Sequence, residues 1–323
     1  MKVIRLHAPN DLRLHEEPRP EPGRGEALIQ VRAVGVCGSD LHWFGEAGIG
    51  DAKLKQPLVL GHEFAGVVAS GHRQGERVAV DPSVPCGTCE FCLGGDPNLC
   101  EKMRFAGHGS EDGALGETVA WPEKCLFALP EALSFADGVM LEPLGVAIHA
   151  VDLAHMRPGM SVGVFGCGPI GLLIVQVARL AGAQTLLVTE PLPHRLEAAH
   201  RFGASAWKPG LRVDVAFEAA GEDEAVAAAF EAVKPGGKVI LAGIPADDRT
   251  SFQASVARRK GLTIKLVRRM KFTYPRAIRM VAGGQVDVRS LVTHTFPLEQ
   301  AQEAFRLAQR REGLKTVIEI ADP

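Results

Sequence analysis

The sequence predicts an α/β protein in two parts: a β-rich half carrying a thiol, an imidazole and a carboxylate, and a doubly wound parallel sheet. Three observations carry this reading. Residues 1 to about 140 alternate short apolar runs with Gly and Pro, the pattern of strands and tight turns. From Arg157 the pattern changes to alternating strand and helix, which marks a parallel sheet. Between them, Ser134–Asp152 has helical apolar spacing, and Pro143 imposes a break or a new helix start. The chain has 323 residues, enough for two domains of ordinary size.

Lys+Arg is 36 and Asp+Glu is 38, a near-balance that gives no reason to expect nucleic acid or an anionic membrane as partner. The first residues lack an apolar signal core, and no uncharged run approaches spanning length, so a cytoplasmic protein is expected. The cysteine count, 7, is odd, which suits a reducing compartment and metal ligation better than a disulfide framework.

Met1–Leu6 and Leu12–Glu16 read as a hairpin, and Pro18–Gly25 as a loop. The strand Ala27–Val36 delivers Cys37, followed on what reads as a loop by Ser39, Asp40 and His42. Leu58–Leu60 reads as a strand ending in His62 and Glu63; Ala65–Ala69 and Arg77–Val80 follow. Cys37, His62 and Glu63 together offer a zinc site with a position left open. Asp40 is expected behind the far nitrogen of His62. Ser39 and His42 are candidates for relaying a proton, with plain loop hydrogen bonding as the alternative.

Pro82–Cys100 holds Cys86, Cys89, Cys92 and Cys100 in the spacing C-x2-C-x2-C-x7-C. Four thiolates so close suit a closed, tetrahedral structural zinc. An iron–sulfur cluster is a rival, although the last gap is long and Glu101, not Pro, follows. Disulfides or free thiols are the other alternative. Cys125 and Cys167 stand alone and read as small buried hydrophobes. Glu142 sits in an apolar run and needs a partner; from this residue alone, an Arg or Lys is favoured over a metal. His149, nearby, reads as a core histidine.

Ser161–Phe165 is a buried strand, and Gly166, Gly168, Pro169, Ile170 and Gly171 make a G-x-G-x-x-G turn before an apolar helix, Leu172–Ala181. Glu190 ends the next strand, Thr185–Thr189. The glycines let backbone approach a pyrophosphate at a helix N-terminus, and a carboxylate at Glu190 accepts from ribose hydroxyls and repels a 2′-phosphate. NAD is therefore expected over NADP, with a solvated strand-end charge as the alternative for Glu190. Arg195 is grouped with the cofactor-binding residues. Strands Val213–Phe217, Lys238–Gly243 and Leu262–Val267 alternate with helices Glu222–Val233 and Phe252–Arg259. Too few residues separate Ala204 from Val213 for a helical crossover, so one unit is trimmed. A helix Thr273–Ala282, a strand Val292–Phe296, a helix Leu298–Gln309 and a strand Lys315–Ile320 close the chain.

Taken in order, Cys37-Gly-Ser-Asp, Gly61-His-Glu, the four-cysteine lobe, Glu142-Pro-Leu and the glycine turn resemble the zinc-dependent medium-chain alcohol dehydrogenases over essentially the whole chain. The sorbitol/polyol dehydrogenase branch is nearest, through Cys37–Trp43, Leu141–Ala150 and Leu291–Ala301. The resemblance implies a GroES-like β catalytic domain, 1–146 and 267–323, and a Rossmann domain, 147–266, with the active site in the cleft. It implies two zinc ions per chain and NAD. The catalytic zinc would be held by Cys37, His62 and Glu63, with Glu142 ligating the ion or its water. The substrate implied is a secondary alcohol, oxidised to a ketone. A dimer or tetramer is implied on the same ground. Two departures stand out: the trimmed segment, and the substrate pocket, where Trp43 and Arg268-Arg269 replace a Tyr and an Arg-Tyr pair. The added cation suits a substrate bearing a carboxylate, such as a sugar acid. A threonine dehydrogenase-like enzyme and a catalytically silent relative are the competing readings.

Overall fold

The computed structural model describes residues 1–321. The chain divides into two compact units. The first comprises Met1–Glu142, Tyr274–Ala282 and the stretch from Val288 onward; the second comprises Pro143–Thr273 and Gly283–Asp287. The joins fall at Glu142 rather than Val146, and at Thr273 rather than Leu266.

In the first unit a seven-stranded sheet has Glu26–Gly35 near its centre. That strand alternates buried and half-buried residues and pairs antiparallel with Glu63–Val68, Thr118–Pro122 and Lys315–Glu319. Its buried face joins a core containing Ile29, Val31, Phe44, Phe64, Trp121 and Phe305. The Tyr274 hydroxyl donates to the Val80 carbonyl at 2.5 Å and its ring stacks on Phe127, which ties the helix Tyr274–Ala282 to this unit. Lys2–Ala8 and Asp11–Glu16 form the expected hairpin.

Two local expectations change. Leu58–Leu60 is not a strand: Leu58 makes a single bridge to Leu6, and the strand begins only at Glu63. Gly61, at φ +92°, turns the backbone just before it. The segment after Cys37 is a helix, Gly38–Glu46, with Cys37 as its N-cap. Asp40 makes the turn possible: its Oδ2 accepts the Cys37 N–H at 3.0 Å, satisfying a donor at the helix start.

The second unit is a six-stranded, all-parallel sheet with helices between most strands. Numbering its strands by appearance, the order across the sheet is 3-2-1-4-5-6, the doubly wound arrangement. Helix Pro193–Arg201, not anticipated from sequence, links the second and third strands. The trimmed unit is the third: its strand is only Ser205–Ala206, and residues 207–212 run without a helix to Val213. Three strand spacings, ~14 Å, lie within reach of so short an extended segment. Trp207 does the covering a helix would do. Its N–H donates to the Val188 carbonyl at 2.8 Å, its Nε1 to the Leu211 carbonyl at 2.9 Å, and its ring meets Phe165 edge-on. No helix among the described residues is long and apolar enough to cross a membrane.

Candidate active site and metal ligands

In the first unit the ends of two adjacent strands and a helix cap converge. Cys37 follows the strand Glu26–Gly35; Glu63 opens the strand beside it, paired with Gly35. One ligand atom each from Cys37, His62 and Glu63 lies within 4.8 Å of the others. Asp40, 1% exposed, places Oδ1 3.2 Å from His62 Nδ1, so it orients the ring and leaves Nε2 for the metal side. Burial opposes the His62 imidazolium, yet the charges of Asp40 and Cys37 raise its pKa well above the ordinary value.

The buried donor atoms lack a partner that an ion would supply. Glu63 is fully buried, and its Oε1 has no hydrogen-bond partner among the described residues. An orphaned carboxylate oxygen beside a thiol and an imidazole is the donor set that an open zinc site offers its ion. Glu63 Oε2 does have company: the Lys315 ammonium, equally buried, forms an ion pair with it. Lys315 escaped the sequence reading. A lone lysine at the start of a late strand gives no signal; only the sheet order brings it to Glu63.

Glu142 is buried where the charges of His62 and Glu63 act on it. It lies in the first turn of the helix Leu141–Ala154, and Pro143 in the same turn accounts for the helix start anticipated there. Burial pushes its carboxyl up to about 7, opposed by the charge of His62 and helped by that of Glu63. The partner favoured from sequence, an Arg or Lys, is present in part, since the Lys315 charge also acts on it.

Ser39 and His42 sit three residues apart on the helix, hence on one face. His42 Nδ1 lies 3.4 Å from Glu46 Oε1, one turn on. Trp43 is a core residue, 1% exposed, whose ring meets His108 edge-on at 5.5 Å. Phe105 approaches both His108 and the metal-site imidazole of His62, with ring centroids 5.3 Å apart in the latter case. Phe105 therefore lies against the imidazole, with His108 behind Phe105, and neither was identified as a site residue from sequence. Arg268 is exposed and Arg269 half-buried at φ +55°, both in the second unit.

The lobe holds Cys86, Cys89, Cys92 and Cys100 with their sulfurs within 4.8 Å of one another. Cys89 and Cys92 sulfurs are 3.4 Å apart, Cys86 and Cys92 3.9 Å. A tetrahedron with metal–sulfur bonds of about 2.3 Å has edges of about 3.8 Å. All seven cysteines are free, which removes the disulfide alternative. N–H donation from Thr88 holds the Cys86 thiol down at about 5, whereas burial and hydrogen bonding with Cys89 push Cys92 up to about 12. Cys125 and Cys167 are buried, as small hydrophobes are.

In the second unit the strand Ser161–Phe165 ends in the glycine turn, and the helix Pro169–Leu180 begins with Gly168 as its N-cap. A Cβ on Gly171 would stand 1.9 Å from the Gly166 carbonyl oxygen, so only glycine permits this strand–helix approach. Glu190 Oε2 accepts the Cys167 N–H at 2.7 Å and Oε1 the Leu192 N–H at 3.1 Å. The carboxylate is thus clamped at the turn, with lone pairs remaining for other donors. Arg195 also approaches the turn: a Cβ on Gly168 would be 3.6 Å from its Nη1.

Comparison with known proteins identifies the family. Residues 23–131 match the family described as alcohol dehydrogenase GroES-like domain, and 169–283 the one described as zinc-binding dehydrogenase. The sorbitol dehydrogenase of Bacillus subtilis is 35% identical over 98% of this chain and 97% of its own. That of Bos taurus is 37% identical over 98% and 95%. Among solved structures, L-idonate 5-dehydrogenase of Escherichia coli superposes with a TM-score of 0.92 at 26% identity, covering 98% of this chain and 97% of that one. A zinc centre of open donor set, a closed four-cysteine centre and a dinucleotide turn thus occur together in a chain that belongs to the zinc-dependent medium-chain alcohol dehydrogenases, in their sorbitol/polyol branch.

Proposed function

We propose that the protein oxidises a secondary alcohol of polyol or sugar-acid type to a ketone, with zinc at Cys37, His62 and Glu63 and NAD at the glycine turn. The observation that carries this is the convergence of those three ligand atoms within 4.8 Å, backed by Asp40 and leaving Glu63 Oε1 unpartnered. A zinc ion there would act as a Lewis acid toward the substrate hydroxyl and lower its pKa. NAD would accept the hydride from the carbinol carbon, while the hydroxyl proton leaves to solvent. The chain's own residues do the rest. Asp40 fixes the His62 tautomer. Glu142, with a carboxyl near 7, is poised to hold or pass a proton at neutral pH. Ser39 and His42 share a helix face along which the proton can reach Glu46 and water. Glu190 selects NAD by repelling a 2′-phosphate. Arg268 and Arg269 supply charge for a carboxylate-bearing substrate. Cys86, Cys89, Cys92 and Cys100 hold a second, structural zinc.

The relatives named above act on sorbitol and L-idonate, so the test is NAD reduction with sorbitol, xylitol, idonate and threonine, before and after treatment with a chelator. Turnover of a polyol or sugar acid that chelation abolishes is expected. Turnover of threonine alone would replace the substrate assignment, and no turnover with zinc bound would favour a silent relative. A homodimer or homotetramer is proposed by family habit, and sedimentation velocity decides it.

A further inference from the structure

We infer that Lys315 is a positioning residue of the metal site: its ammonium holds one oxygen of Glu63 and so keeps that ligand from closing the site. The inference rests on the reading that Cys37, His62 and Glu63 hold the ion.

Three neighbouring strands make the arrangement. Gly35, on the middle strand, pairs with Glu63 on one side and with Val317 on the other. Adjacent strands lie ~4.8 Å apart, so the outer two stand ~10 Å from each other and their side chains meet only by crossing the middle one. Gly35 makes that crossing possible. A Cβ there would stand 2.1 Å from Glu63 Oε2, 2.6 Å from Val139 Cγ1 and 3.1 Å from Lys315 Cε. Any side chain at position 35 would therefore occupy the path of the ion pair.

The position of the lysine makes sense only toward the metal group. It is 3% exposed, and a buried ammonium persists only with a partner that offsets its lost hydration. It forms an ion pair with Glu63, through Oε2. Oε1 remains without a hydrogen-bond partner. A carboxylate with both oxygens available can bind a metal through both, and the second oxygen would then take the position that an open zinc site keeps for substrate. With Lys315 on Oε2, Glu63 offers the ion a single oxygen of reduced charge. The lysine thus keeps the ligand set at three and the site open.

The test uses full-length protein loaded with cobalt in place of zinc, as wild type, Lys315→Met, Lys315→Gln and Cys37→Ser. Far-UV circular dichroism confirms folding, and either neutral variant suffices if the other fails to fold. Subtracting the Cys37→Ser spectrum removes the contribution of the four-cysteine lobe. In the neutral variants the remaining visible absorption should weaken, as a further oxygen raises the coordination number. Loss of the metal to a chelator should slow by about ten-fold, and kcat should fall by about ten-fold or more with a smaller change in KM. An unchanged spectrum together with an unchanged rate of metal loss would overturn the role of Lys315. A distinct failure concerns the underlying reading: if Cys37→Ser binds as much cobalt as wild type, the ion is held elsewhere.

Discussion

The buried metal group and the glycine turn are built on opposite plans. Cys37, His62, Glu63 and Lys315 reach one point from a helix cap, a turn and two strand starts, and Lys315 arrives from near the C-terminal end of the chain. The turn is one continuous strand–turn–helix stretch, and the side chain that tunes it, Glu190, ends the next strand. A site assembled by sheet register has no redundancy: each strand supplies one group, and a lost group leaves buried charge uncompensated. A site made of backbone N–H groups keeps its shape when one side chain is changed. Losses in the first should abolish chemistry, and changes in the second should shift preference.

The largest effect separates the two kinds of metal ligand. Cys37→Ser should lower kcat/KM by about a thousand-fold or more, since the Lewis-acid contribution is worth several kcal/mol. Cys89→Ser, in the contiguous lobe, should remove the other ion and cost about 3 kcal/mol of stability, while kcat per folded molecule stays near wild type. Metal analysis, thermal melts and steady-state kinetics on both variants check this. A kcat loss in Cys89→Ser equal to that in Cys37→Ser would break the comparison.

A middling effect is expected at the turn. Glu190→Ala should reduce the preference for NAD over NADP by about ten-fold to a hundred-fold, with kcat at saturating NAD changed little. Equal preference before and after the change would remove Glu190 from its role and leave it as a clamp on the Cys167 N–H.

The smallest effect lies at the start of the strand Ser161–Phe165, where Asp214 takes the Ser161 N–H and hydroxyl and pairs with Lys234. Burial opposes the Asp214 carboxylate, but these partners outweigh it and hold its carboxyl down at about 2. Because the folded value is depressed, the stabilisation is present above the unfolded value, ~3.9, and is lost as pH falls through about 2. Asp214→Asn should therefore lower the melting temperature at neutral pH and converge with wild type at the acid end. Parallel melting curves across that range would count against the assignment.

What the sequence determined by itself was whatever is written in neighbouring residues. The C-x2-C-x2-C-x7-C lobe, the glycine turn with its acidic partner and the trimmed third unit were legible because spacing along the chain sets geometry over a few residues. Cys37, His62 and Glu63 were legible as a chemical set, but their supporting elements were not. Leu58–Leu60 gave way to a turn at Gly61, and the residues after Cys37 formed a helix because Asp40 supplies the cap. Tertiary structure alone decided that the charges of His62 and Glu63 act on Glu142, that Trp43 is core while Phe105 lies against the His62 imidazole, and that Lys315 faces Glu63 across Gly35. The physical reason is register. Which side chains meet across a sheet depends on how distant strands align, and a bare glycine on the strand between them leaves no mark in either neighbour's sequence.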